Sequence, residues 1–201
     1  MSIAPGSSTR FTGVVLAGGR SSRMGRDKAL VEVAGRPLAS IAAQALADAG
    51  AAEVLVIGGD ADALGGLGLA VVADEHPGEG PLGAIITALA RAREGIVMVL
   101  ACDMPAIDRA TVTAIVDALA GAPDADVAAP QLGDRLQILT AAYRTRLRPV
   151  LEAAFAGGER APRRALRGST VVAVDGLDAD RLADVDRPAD LHRYAQPRTK
   201  P

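Results

Sequence analysis

Short runs dominated by Val, Leu, Ile and Ala recur along this chain: GVVLA (13–17), EVLVIGG (53–59), LAVVAD (69–74), GIVMVLACD (95–103) and TVVAVD (170–175). They constrain the fold more than any other feature. A strand with one wet face alternates apolar and polar residues, whereas a strand apolar throughout is covered on both faces. Helical patterns separate the runs, each with its own punctuation. PLASIAAQALADAG opens on Pro37 and closes on Gly50, PLGAIITALARARE opens on Pro81 before Gly95, and RATVTAIVDALAG follows Asp108, a natural N-cap, and ends at Gly121. Buried strands alternating with helices predict an α/β fold, with a mostly parallel sheet sandwiched by helices. GIVMVLACD, the longest run, is the expected central strand.

Later segments complete this reading. ADVAAPQ and DRLQILTAAY read as strands joined by a turn around Gly133, which predicts a late antiparallel strand or hairpin. Helices are expected over about 146–156 and 162–167, and PADLHRY (188–194) reads as a closing helix. Residues 1–10 read as a flexible N-terminus, 11–195 as a single domain and 196–201 as a loose tail. With 201 residues the chain is long enough for a substantial core. Aromatics are only 2%, so the layers must close on small aliphatic side chains, and a base-stacking surface for nucleic acid is not expected. The net charge of −2 gives no global attraction to nucleic acid. One cysteine, Cys102, excludes an intramolecular disulfide framework and fits a cytoplasmic setting. The N-terminal MSIAPGSSTR lacks the apolar stretch of a signal peptide, and no segment approaches a membrane span.

Open α/β sheets bind ligands beyond the carboxyl ends of their strands, so the segments that follow the strands are where chemistry is expected. After the first run comes LAGGRSSRMGRDKAL (16–30), after the third Asp74 and EHPGEGPLG, after the fourth Asp103, and near the end ADVDRP. The first loop matches neither the P-loop nor the G-x-G-x-x-G pattern. Gly18 and Gly19 nevertheless let backbone approach a phosphate, and successive N–H groups can cradle an anion. Of 22 Lys plus Arg only two are lysines, Lys28 and the terminal Lys200. A chain that otherwise uses arginine places a compact point charge here, the form suited to a phosphate oxygen. A solvated basic turn is the competing reading.

The stretch LAGGRSSRMGRDKAL resembles the L-A-G-G-x-x-x-R-M-G-x-x-K signature of Rossmann-like nucleotidyltransferases. Within that group, ADEHPGEGPLGAI (73–85), LACDMP (100–105) and DVDRPADL (184–191) resemble segments of the molybdenum cofactor guanylyltransferases, in the same order. The resemblance implies transfer of GMP from GTP to the terminal phosphate of molybdopterin, with Mg²⁺ as cofactor and pyrophosphate released. It implies that Leu16, Ala17, Gly18 and Gly19 wrap the nucleotide with backbone groups, and that Arg23 and Lys28 contact the triphosphate. Asp74 would lie on the base and ribose side, Gly80, Pro81 and Leu82 would form part of the base pocket, and Asp103 would hold Mg²⁺ at the α-phosphate. Asp186 would be a weaker second metal ligand. It competes with a capping or ion-pair role among Asp184, Arg187 and Asp190.

Such chemistry needs positioning and charge stabilisation more than proton transfer, because the attacking phosphate is already anionic. The lack of a Ser/His/Asp constellation is then expected. GTP and molybdopterin are the implied partners, and neither nucleic acid nor membrane is. A monomer is favoured over a stable oligomer, with room for transient contact with cofactor-synthesis or acceptor enzymes. The chain departs from the family in having Gly58 or Gly59 where an Asn is common, and Asp184, Asp186 and Arg187 in the late motif. Cys102 reads as a small buried neighbour of the site, His76 as an exposed loop residue, and Arg160, Arg163, Arg164 and Arg167 as a solvated face or a place for the pterin phosphate. A cytidylyltransferase or relative on another phosphorylated acceptor, and a silent nucleotide-binding module, are the alternatives.

Overall fold

The computed structural model describes residues 9–18, 27–186 and 188–194. In chain order these form β1 (Thr12–Leu16), β2 (Glu32–Val33), β3 (Arg36–Pro37), α1 (Leu38–Asp48), β4 (Glu53–Ile57), α2 (Ala61–Gly66), β5 (Val71–Val72) and α3 (Pro81–Arg91). Then follow β6 (Ile96–Ala101), α4 (Arg109–Ala120), β7 (Val127–Leu132), β8 (Arg135–Leu136), β9 (Thr140–Arg144), α5 (Arg148–Ala156), α6 (Pro162–Ala165) and β10 (Val171–Val174). Single turns of 3₁₀ helix occur at Lys28–Leu30, Thr145–Leu147 and Ala179–Arg181.

The strands lie in the order β10-β7-β9-β6-β1-β4-β5, and β8 pairs with β7 outside this path. β1 is parallel to both β4 and β6, β4 to β5, and β7 to β10. β9 runs against both β6 and β7. The expected mostly parallel sheet, central fourth apolar run and late antiparallel strand are all present. Alternate residues of one strand enter different layers, as a doubly covered sheet requires. Val15, Met98 and Leu100 pack with α1 and α4, whereas Val14, Leu16, Val97 and Val99 pack with α3 and α5. Val14, Val15, Val97, Met98, Val99 and Leu100 are all 0% exposed, which is why residues 13–17 and 95–101 are apolar without a break.

Helix punctuation follows the sequence. Asp108 accepts from the Thr111 N–H at 2.9 Å and caps α4, and Pro81 sits in the first turn of α3. Four details differ. DRLQILTAAY is not one strand: its start pairs with β7 across the Gly133 turn, the chain then turns, and its end crosses to lie between β6 and β7. The third run narrows to Val71–Val72 because it is an edge strand bonded on one side to β4. α2 has no apolar periodicity to announce it and is set by Asp60, whose carboxylate accepts from the Ala63 N–H at 3.0 Å. PADLHRY is a 3₁₀ segment, Pro188–Tyr194. Among the described residues no helix is long and apolar enough to cross a membrane.

Candidate active site

β1, β4 and β6 end in register, with Leu16 opposite both Ile57 and Ala101. The segments leaving them therefore meet at one edge of the sheet, and backbone hydrogen bonds tie them there. Ala17 N donates to Ile57 O at 3.0 Å, Cys102 N to Leu16 O at 3.3 Å, and Gly58 N to Val72 O at 3.0 Å. The chain leaves β1 for β4 on one side and later returns to place β6 on the other. β1 and β6 thus flank the switch in strand order where open α/β sheets leave a crevice.

Lys28 and Asp103 stand in that crevice, 75 residues apart in sequence and 2.8 Å apart as Nζ and Oδ2. The same ammonium is 2.8 Å from Oδ1 of Asp186. Two local devices put Lys28 there. Asp27 caps the following 3₁₀ turn by accepting from Ala29 N at 3.0 Å, and its other oxygen accepts from Asp60 N at 3.2 Å, binding the end of the first loop to the loop after β4. The late segment is held by Val185 N donating to Asp103 O at 2.9 Å, and Asp186 N donates to Asp190. Burial works against the charge of Lys28, but the hydrogen bonds it donates to Asp103 and Asp186 outweigh it and hold the pKa above its ordinary value.

Asp184 joins this cluster. One oxygen from each of Asp103, Asp184 and Asp186 can be chosen so that all lie within 4.8 Å of one another. Burial, and next the charges of Asp186 and Asp103, push the Asp184 carboxyl up. Three converging carboxylates are a hard, all-oxygen donor set of the kind Mg²⁺ accepts, and the Lys28 ammonium bridging two of them shows that they surround a place for positive charge. Sequence reasoning treated Asp184 only as a neighbour of Asp186. The D-x-D spacing of Asp184 and Asp186 was the available signal. Cys102 is buried, and burial, with the Asp103 charge next, pushes its thiol up to about 12, so it is an inert neighbour.

The other expected site residues divide. Leu16, Ala17 and Leu82 have side chains in the core, so only their backbone can face a ligand, and Leu16 O and Ala17 N are already used between strands. Gly18 lies against Gly58, where an added Cβ would sit 3.3 Å from Gly18 Cα. Gly59 has φ +79°, and a Cβ there would meet Leu64 at 2.7 Å, so glycine here permits a tight turn beside the first loop. Asp74 spends Oδ1 on His76 N at 2.9 Å and the Thr87 hydroxyl at 3.1 Å, fixing the turn after β5 to α3. Gly80 is the N-cap of α3 with φ 87°, and as a glycine it offers no side chain to cap that helix. His76 is half-buried rather than exposed, with its ring 4.5 Å from that of Phe155. Arg160 and Arg164 are paired with Glu79 and Glu159. Gly19 and Arg23 lie outside the described residues.

A doubly covered α/β sheet here carries a lysine and a carboxylate trio at the carboxyl ends of its central strands, groups whose chemistry suits a phosphate and a divalent ion. The solved structure of molybdopterin-guanine dinucleotide biosynthesis protein A from Archaeoglobus fulgidus shares the fold, with a TM-score of 0.76 and 23% identity, over 92% of this chain and 96% of that one. Residues 13–174 match the MobA-like NTP transferase domain, and the chain belongs to that family. A probable molybdenum cofactor guanylyltransferase of Deinococcus radiodurans is 36% identical over 182 residues, 90% of this chain and 92% of that protein. A molybdenum cofactor guanylyltransferase of Xanthomonas euvesicatoria is 45% identical over 101 residues. The chain spans about half the length of that relative, the match covering 50% of each.

Proposed function

We propose that the protein transfers GMP from GTP to the terminal phosphate of molybdopterin, releasing pyrophosphate. The observation that carries this reading is the convergence of Lys28, Asp103 and Asp186 within 2.8 Å contacts at the β1/β6 crevice, in a member of this family. An oxygen of the acceptor phosphate attacks the α-phosphorus, the new P–O bond forms, and the bond to the β-phosphate oxygen breaks. Charge accumulates on the leaving pyrophosphate. Lys28, released from its carboxylates, donates to phosphate oxygen and stabilises that charge, with Arg23 in the same role. Asp103, Asp186 and Asp184 would hold Mg²⁺, which when bound supplies charge neutralisation at the α-phosphate. Gly18 and Gly19 bring backbone close to the nucleotide, the turn fixed by Asp74 lines its base and ribose side, and Gly80 and Pro81, with the backbone of Leu82, line the base pocket.

The test is a competition among GTP, CTP and ATP with Mg²⁺ and molybdopterin, scored by the dinucleotide product. A guanine dinucleotide is expected. A clear preference for CTP would move the assignment to a cytidylyltransferase, and tight GTP binding without product would make the chain a nucleotide-binding module.

A further inference from the structure

A second knot of side chains, separate from the carboxylates, joins the loop before α3 to the segment after α5. Arg160 Nε donates to Glu79 Oε2 at 2.8 Å, and its Nη2 is 2.6 Å from the same oxygen. Its Nη1 donates to Phe155 O at 2.8 Å and to Glu159 O at 2.9 Å. The guanidinium lies 3.8 Å over the centre of the Phe155 ring, and His76 packs on that ring. His76 is in turn pressed against α3, since a Cβ on Gly83 would fall 2.6 Å from His76 Cβ. All these contacts bracket one turn. That turn contains Gly78 with φ 80° and Gly80 with φ 87°, residues that lose much conformational freedom when ordered and supply no side chain to hold themselves. The turn follows β5 on the same sheet edge as Gly18 and Gly58, and a Cβ on Gly58 would lie 3.9 Å from Asp74 Cβ.

We infer that Arg160, Glu79, Phe155 and His76 form a clasp that preorganises residues 77–82 for the nucleotide base, so that Arg160 and Glu79 are positioning residues for nucleotide selection. This rests on the reading of 80–82 as the base side of the site. The clasp acts on binding because ordering the turn beforehand removes that cost from nucleotide association. It requires arginine, since one side chain must serve a carboxylate, two carbonyls and a ring face at once, and lysine offers a single ammonium.

The experiment compares the wild-type chain with Glu79→Gln, Arg160→Lys, Arg160→Ala and the double variant Glu79→Gln/Arg160→Ala. Each is assayed with Mg²⁺ and molybdopterin and titrated with GTP and with ATP. KM for GTP is expected to rise about fivefold in each single variant, the order expected for losing one partly exposed charged contact. kcat stays within about twofold, acceptor KM is unchanged, and the preference for GTP over ATP falls. Arg160→Lys behaves like Arg160→Ala, and the double variant is no worse than Arg160→Ala alone. Unchanged GTP binding and preference would overturn the clasp, as would a loss falling on kcat or acceptor KM. Should Arg160→Ala fold poorly, Glu79→Gln decides by itself, because that side chain is half-exposed. If the wild type selects another nucleoside triphosphate, the guanylyl reading fails and the clasp is scored on the nucleotide it does select.

Discussion

Lys28 shows how much one residue can carry. It is the single lysine outside the C-terminal tail, and its ammonium sits between two carboxylates from segments 75 and 158 residues away. Lys28→Ala is expected to lower kcat by about 10² to 10³, the range for losing one charged donor to a developing oxyanion, while Lys28→Arg should rescue little because a planar fork cannot take the place of a point charge. Steady-state kinetics check both. Asp103→Ala is expected to abolish Mg²⁺-dependent turnover with a small change in Tm, and near-normal activity would remove it from the metal set.

At the surface, Glu159 offers a pH test. Hydrogen bonds from Arg164, and next from the Ala161 N–H, bring its carboxyl down to about 2 from an ordinary 4.5. A depressed folded pKa means that the unfolded chain binds the proton first on acidification. The contribution of Glu159 is therefore complete above pH 4.5 and lost as pH falls toward 2. Urea denaturation of wild type and Glu159→Gln should show a stability gap at neutral pH that narrows below about pH 4.5; a gap constant down to pH 3 would contradict this.

At the level of elements, legibility followed local chemistry. α4 was readable because Asp108 and Gly121 mark its ends, and Asp108 accepts from both the backbone and the hydroxyl of Thr111. Asp108→Ala should cost about 1 kcal/mol of stability, measured by chemical denaturation, with kcat little changed. α2 was not readable, since ADALGG has two glycines and one buried position, Leu64, and only the Asp60 cap marks it. The run DRLQILTAAY is uniform in sequence yet divides between a hairpin and the sheet interior, because the break is set by which neighbour each half finds.

For the whole molecule, the two apolar layers on either side of β6 are the main source of stability. Leu100 is 0% exposed in the layer shared with α1 and α4. Leu100→Ala should destabilise by about 2–5 kcal/mol, read from the denaturation midpoint. The α/β architecture, the mostly parallel sheet and its centre at 95–103 were legible in the sequence, because continuous apolar runs and helix caps are local signals; Lys28 stood out as a rare lysine, whereas Asp103 and Asp186 were singled out through the family resemblance. Asp74 as a tether to Thr87 and the join of Glu79 to Arg160 were decided by tertiary structure alone, and Asp184 as a third carboxylate was signalled only by its D-x-D spacing to Asp186. Each is a meeting of segments brought together by strand order and by the lengths of the intervening loops, and no residue type or spacing within one segment records which distant segment will arrive beside it.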